Sequence, residues 1–233
     1  MVTQPASDAH SQVDADVLVF DVLGTLLDED AGQLRSARQE PALQATPVED
    51  FVERWSARFH ELMRATQDGR EDYEVSEALY ARALRDVAAQ EHLELPEDAV
   101  TRVSRFGRTL DPFPEVPAAI DALSSRFALV ALTNAGTAQA FAMSRHAGLR
   151  WSTLLSGEVV QAYKPDPRMY RHAIAALDLR PERCIFVAAH EWDLDAAAEH
   201  GFRTAYLDRA GDGHRARADV QAPDLAALAA QLD

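Results

Sequence analysis

Asp21, Thr133, Asn134, Lys164 and Asp193 are the polar residues of this sequence that stand at, or just behind, the ends of short apolar runs. Between them they offer a carboxylate nucleophile, a hydroxyl, an amine and a second acid. Lys164 is the only lysine among 23 lysine and arginine residues. An ammonium is a compact point charge and a guanidinium a wide planar fork, so the two do not interchange where space is tight. Its setting, Tyr163-Lys164-Pro165-Asp166-Pro167, keeps it out of a helix, because a following proline biases a residue toward extended backbone. Any one of these residues could cap a helix, the ordinary role of Asp or Thr at such a place. Four run ends with complementary groups point instead to one shared active site.

The elements that must position these groups are buried strands. Asp16 to Asp21 reads Asp-Val-Leu-Val-Phe-Asp, a short apolar run closed by an acid, as in a strand covered on both faces. Ala128–Leu132, Cys184–Val187 and Thr204–Leu207 have the same character, and Leu154-Leu155 forms a shorter segment before Lys164. Helical patterns lie between them, around 114–125, 137–147, 166–178 and 193–200, with a last one near 224–232. Alternation of this kind implies an α/β fold: a doubly wound parallel sheet with a Rossmann-like core. In such sheets ligands bind outside the carboxyl ends of the strands, where the five residues fall.

From about 30 to 111 no strand is legible. Helical periodicity takes over, in Phe51/Trp55/Phe59/Leu62, Leu79/Ala83/Leu84/Val87 and Val100/Val103/Phe106. This stretch is too long for a crossover and reads as an inserted helical cap. Asp111-Pro-Phe-Pro-Glu-Val-Pro117 is the stiff return. The expected organisation is a flexible tail over 1–13, a core over 14–29 and 112–233, and a cap over 30–111.

With 233 residues, 47% of them hydrophobic, the chain can bury a sizeable core. Its formal charge of −15 argues against nucleic acid and anionic membrane as partners. The acid excess fits either a saline habitat or a GC-rich genome. Cys184 is the single cysteine, so neither a disulfide nor a thiolate zinc site forms within the chain, and its apolar surroundings make it a buried small hydrophobe. No apolar run approaches the roughly 18 residues of a membrane span. Met1 to Asp14 is too polar for a signal peptide, and a cytoplasmic location is expected. His60, His92, His146, His172, His200 and His214 show no metal-ligand spacing.

The motifs Phe20-Asp21-Val22-Leu23-Gly24-Thr25-Leu26, Leu132-Thr133-Asn134, Lys164-Pro165 and the Asp193 region follow one another in the order of the haloacid dehalogenase superfamily, which the chain resembles over nearly its whole length. The resemblance implies that Asp21 is the nucleophile, that Lys164 holds its charge in place, and that Thr25 and Asp193 belong to the catalytic group. Phosphatases of that superfamily carry a second aspartate two residues after the nucleophile and a magnesium-binding acid in the fourth motif. Here those positions are Leu23 and Ala189, so the acid for an ester leaving group and a hard oxygen ligand are both missing. The chain resembles more closely the type II (L-2-)haloacid dehalogenases, which use no metal and no cofactor.

That resemblance implies attack of Asp21 on the α-carbon of a small 2-haloacid, release of halide, and hydrolysis of the resulting ester to a 2-hydroxy acid of inverted configuration. The substrate carboxylate would rest on Thr133 and the backbone amides of Val22 and Leu23, with Asn134, Tyr170 and Trp192 also at the substrate. Chloro- and fluoro-acids both fit. Two positions depart from the family pattern. Ala188 and His190 stand where a Ser-x-Asn pair is common, and His190 could orient or deprotonate the hydrolytic water. The halide-receiving arginine, often placed directly after a tryptophan, is replaced by Ser56; Arg54 and Arg58 are the candidates, and Arg58 is preferred. Phe51, Trp55 and Phe59 either wall the cleft or form plain core. Alternatives are a hydrolase opening a strained ring on another small carboxylic acid, a phosphatase, or a catalytically silent binding protein. A homodimer is compatible with all of them.

Overall fold

Val17-Leu18-Val19-Phe20 has no side chain to turn toward water, and it becomes the central strand β1 (Val17–Phe20) of a six-stranded parallel sheet. The structure, a computed structural model, describes residues 15–232, so the tail expected over 1–13 lies outside the described residues. After β1 the chain forms four helices, with a fifth to follow before it rejoins the sheet: α1 (Glu29–Gln39), α2 (Val48–Gln67), α3 (Ser76–Gln90) and α4 (Glu97–Ser104). Then follow α5 (Val116–Ser124), β2 (Ala128–Thr133), α6 (Thr137–His146), β3 (Thr153–Ser156) and α7 (Pro167–Leu177). The chain closes with β4 (Cys184–Ala188), α8 (Glu191–Glu199), β5 (Arg203–Leu207), β6 (Val220–Ala222) and α9 (Leu225–Gln231).

The strand order is β3-β2-β1-β4-β5-β6, reversing direction between β1 and β4. Leu18 and Phe20 pack with Ile120, Leu123, Leu225 and Leu228 on one face. Val19 packs with Met169, Tyr170, Leu194 and Ala197 on the other. Helices on both faces make the sheet doubly wound, as expected. Phe20 stands in register with Ala131 of β2 and Val187 of β4, so the three strands end within two residues of one another. Asp21, Thr133 and the Ala188–His190 turn therefore leave the sheet side by side at the switch point, where such folds bind ligands.

Two elements were not foreseen. The helix α1 buries only Gly32, Gln33 and Ala37, so no apolar stripe marks it. The strand β6 is three residues long and only Ala222 is buried, which leaves no apolar run to read. Within the insertion, Trp55 donates from Nε1 to the Tyr80 carbonyl at 2.9 Å, and the Phe59 ring stacks on Tyr80 at 3.7 Å. Phe51, Trp55 and Phe59 are thus core of the insertion, each ring pair contributing about 0.5–1.5 kcal/mol beyond its burial. The two connections to the sheet run together: Asp28 donates to the Asp111 carbonyl and Phe113 to that of Leu26. Among the described residues no helix is long and apolar enough to cross a membrane.

Candidate active site

Asp21 follows β1 directly and is 4% exposed. Its Oδ1 accepts from Lys164 Nζ at 2.7 Å. Its Oδ2 accepts from Thr25 Oγ1 at 2.6 Å and lies 3.1 Å from His190 Nδ1. Thr25 has one proton to give, and the direction is set, because its Oγ1 also accepts from the Ala189 amide at 3.0 Å. One hydroxyl therefore ties the β1 turn to the β4 turn and aims its proton at the nucleophile.

Lys164 is 1% exposed, and Nζ also donates to Asp193 Oδ2 at 2.5 Å. Asp193, in the first turn of α8, accepts on Oδ1 from the Tyr170 hydroxyl at 2.5 Å. The lysine is held by its backbone from both sides of the cleft: its amide donates to Asn134 Oδ1 at 2.7 Å, and its carbonyl accepts from Gln67 Nε2, at the end of α2, at 2.8 Å. Next to it, the Tyr163 hydroxyl donates to the Glu74 carbonyl.

Two carboxylates share one ammonium, and they respond differently. Burial raises the pKa of Asp21, but the Lys164 charge and the His190 hydrogen bond outweigh it and hold this carboxyl well below the usual range. For Asp193 burial is the largest effect and, with the neighbouring Asp21 charge, leaves its pKa raised despite Lys164. Burial works against the charge of Lys164 as well, yet the two acids lift its pKa above the ordinary value. Asp21 is thus the case in which opposite charge and hydrogen bonds defeat desolvation, and Asp193 the case in which they do not.

His190 caps the nucleophile from the solvent side, its side chain 36% exposed. Burial disfavours its charge, but the hydrogen bond and charge of Asp21 prevail and raise its pKa. Gly24 lies beneath it with φ +73°, and a Cβ there would stand 3.1 Å from His190 Cε1. Glycine is needed twice over, for the backbone and for the imidazole. Trp192 is 42% exposed, its ring 5.4 Å from that of His190.

The residues expected at the site divide into two groups. Asp21, Thr25, Lys164, His190, Asp193 and Tyr170 form one hydrogen-bonded cluster. Tyr170, expected at the substrate, turns to Asp193 and is fully buried; Asn134, expected there too, holds the Lys164 amide. Thr133 accepts from the Ala135 amide at 3.1 Å, and Val22 is buried beside half-buried Leu23. Arg58 does not join them: it donates to Asp86 at 2.8 Å and Glu61 at 3.1 Å, while Arg54 donates to Glu91 at 2.6 Å. Among the described residues no group of three or more His, Cys, Asp or Glu side chains is arranged to hold a metal ion.

Sequence reasoning passed over Glu29. It opens α1 and accepts from the Tyr80 hydroxyl at 3.0 Å. Burial raises its pKa to about 7, and Asp21 adds to the shift. An acid in the first turn of a helix is ordinarily a solvated dipole partner, so its sequence position carries no warning.

The pattern of haloacid dehalogenase-like hydrolases matches residues 15–201. The chain is 39% identical over 126 residues to an (S)-2-haloacid dehalogenase of Pseudomonas sp. (strain YL), 52% of this chain and 54% of that protein, so it spans about half the length of this relative. It is 29% identical over 201 residues to (S)-2-haloacid dehalogenase 4A of Burkholderia cepacia, 83% of each. Its structure superimposes on the L-2-haloacid dehalogenase PA0810 with a TM-score of 0.86 at 32% identity, covering 94% of this chain and 98% of the other.

Proposed function

We propose that this chain, which belongs to the haloacid dehalogenase-like hydrolases, hydrolyses small 2-haloalkanoic acids to 2-hydroxy acids without a metal ion. The observation that carries this reading is a buried Asp21 kept ionised by Lys164, with Leu23 two residues on in place of an acid. A halide leaves as an anion and needs no proton from that position, whereas an alkoxide does. The names of the Pseudomonas, Burkholderia and PA0810 relatives support the substrate class.

In the first step an Asp21 oxygen bonds to C2 as the carbon–halogen bond breaks, and halide departs with the bonding pair. The product is a neutral ester on Asp21. Its negative charge is gone, so the support that raised the His190 pKa is withdrawn. The imidazole, whose charged form Asp21 no longer favours, is then a base beside the ester carbonyl, its Nδ1 already 3.1 Å from Oδ2. Water attacks the Asp21 carbonyl carbon while His190 takes its proton. The bond between that carbon and the product oxygen breaks, the 2-hydroxy acid takes the proton, and Asp21 returns to its carboxylate, releasing one proton. Loss of the nucleophile's charge thus switches on the base for the second step.

The test is halide release from 2-chloropropionate, chloroacetate and bromoacetate with and without EDTA. Turnover that survives EDTA and vanishes in Asp21→Asn supports the reading. Strong magnesium-dependent hydrolysis of p-nitrophenyl phosphate, with no halide release, would overturn it.

A further inference from the structure

Arg209 takes no part in either step above, yet it lies one residue's length behind the nucleophile. It follows β5, on a base fixed by its neighbour Asp208. The Asp208 amide donates to the Ala222 carbonyl, and the Asp208 carboxylate accepts from the Gly211 and Gly213 amides, each at 2.9 Å. From there the Arg209 side chain, only 12% exposed, reaches both connections between the sheet and the insertion. Its Nε donates to the Thr25 carbonyl, in the turn after β1, at 2.8 Å. On the return connection its Nη1 donates to Glu115 Oε1 at 2.7 Å, and its Cζ stands 4.1 Å from the centre of the Phe113 ring.

Two details separate this arginine from an ordinary ion pair. Nη2 is buried and has no hydrogen-bond partner among the described residues. A buried donor left without an acceptor costs free energy, so the guanidinium is kept here in spite of one unsatisfied nitrogen. The second detail is which nitrogen meets Thr25. Nε is the one nearest the stem, at the place where a lysine side chain carries carbon. A lysine would retain the Glu115 ion pair and the charge over Phe113 and lose the bond to Thr25.

We propose that Arg209 is a positioning residue of the reaction, acting on the nucleophile through Thr25. The proposal rests on the dehalogenase reading. Thr25 is held at its carbonyl by Arg209 and at Oγ1 by the Ala189 amide, and its hydroxyl donates to Asp21 Oδ2 at 2.6 Å. The carboxylate is thereby fixed at one oxygen by Thr25 and at the other by Lys164. Displacement at carbon needs the attacking oxygen in line with the bond that breaks, and a misplacement of about 1 Å costs on the order of a hundredfold. Because Thr25 bonds the nucleophile, release of its carbonyl lowers the rate of the bound complex and leaves substrate affinity nearly untouched.

Single-turnover rates and KM on 2-chloropropionate, with urea unfolding, test this for the wild type, Arg209→Lys, Arg209→Met, Thr25→Val, and Arg209→Lys combined with Thr25→Val. Arg209→Lys should unfold close to the wild type and react about tenfold to a hundredfold more slowly, with KM changed less than about twofold. Arg209→Met should lose as much rate and also stability, since Glu115 is then unpaired. With Thr25→Val already present, adding Arg209→Lys should slow the reaction by less than about twofold, because the two residues act along one line. A lysine variant at the wild-type rate, or the same loss with and without Thr25→Val, would show that Arg209 serves the fold alone and overturn the proposal, leaving the dehalogenase intact. A wild type that releases no halide would overturn the dehalogenase reading, and the positioning role with it.

Discussion

Charge is handled in opposite ways on the two sides of the cleft. Beneath it, Asp21, Lys164 and Asp193 are all but sealed from water, and each ionised atom has a donor or acceptor within hydrogen-bond range. Above it, the insertion is laced with ion pairs whose members stay partly wet: Arg58 with Asp86, Arg85 with Glu97, Arg102 with Asp98. The chemistry of the groups is the same and their consequences are not. An exposed pair is worth about 0–1 kcal/mol. Breaking a buried pair leaves an uncompensated charge and costs about 3–5 kcal/mol, unless the orphan changes its protonation state. In the floor of the cleft, protonation state is function.

The sharpest way to break this contrast is to remove the nucleophile. Asp21→Asn keeps the shape and the Thr25 contact but has no charge to displace halide, and turnover should drop by at least about a thousandfold. In oxygen-18 water, a single turnover should place the label in Asp21; label appearing first in the hydroxy acid would mean that water attacks the substrate directly.

Removing the ammonium comes next. In Lys164→Met the influence that holds the Asp21 pKa low is gone, and two carboxylates face each other in a buried site. The pKa of one must rise, so activity should fall by about tenfold to a thousandfold and recover as pH increases. Lys164→Arg should also be poor, because a guanidinium is a wide fork and not the compact ammonium that both carboxylates contact. An arginine variant with wild-type rates would show that positive charge alone suffices.

Glu29 sharpens the comparison from the stability side. Its folded pKa of about 7 lies above the roughly 4.3 of an unfolded glutamate. The raised value means that its contribution to stability is full below about pH 4 and is lost as pH climbs through 7. Glu29→Gln should therefore match the wild type in urea unfolding at pH 4 and exceed it by roughly 1–3 kcal/mol at pH 8.5. No difference between the two pH values would mean that the carboxyl is solvated like its exposed counterparts.

The smallest effect is expected on the insertion's outer face. Arg58→Ala should change halide release less than about twofold and stability by less than about 1 kcal/mol. A loss of tenfold or more would return the task of receiving halide to that arginine.

Much of the floor could be read in advance. Asp21, Thr133, Lys164 and Asp193 were legible because buried parallel strands are written as unbroken apolar runs, and the polar residue that ends a run must stand at the sheet's edge. The helices α5 to α9 followed from the spacing between those runs. The roof was less legible. Trp55 and Phe59 show helical spacing, which says that one face is covered but not by what; the cover proved to be Tyr80 and not a substrate. Arg54 and Arg58 share a helix face in any reading, yet their partners Glu91 and Asp86 lie 37 and 28 residues away. The direction of the Tyr170 hydroxyl, the Asn134 bond to the Lys164 backbone and the exposure of His190 were equally out of reach.

By itself the sequence determined the kind of fold, the end of the sheet where chemistry gathers, and the groups gathered there, because all three depend on patterns within a few residues. The tertiary structure decided that the pKa of Asp21 falls while that of Asp193 rises, that His190 leans on the nucleophile, and that Glu29, a glutamate with no distinguishing neighbours in the chain, is half-buried against the Tyr80 hydroxyl. Those outcomes are protonation equilibria. They depend on burial and on charges brought together from positions as far apart as 21, 164 and 193, and no local pattern records either.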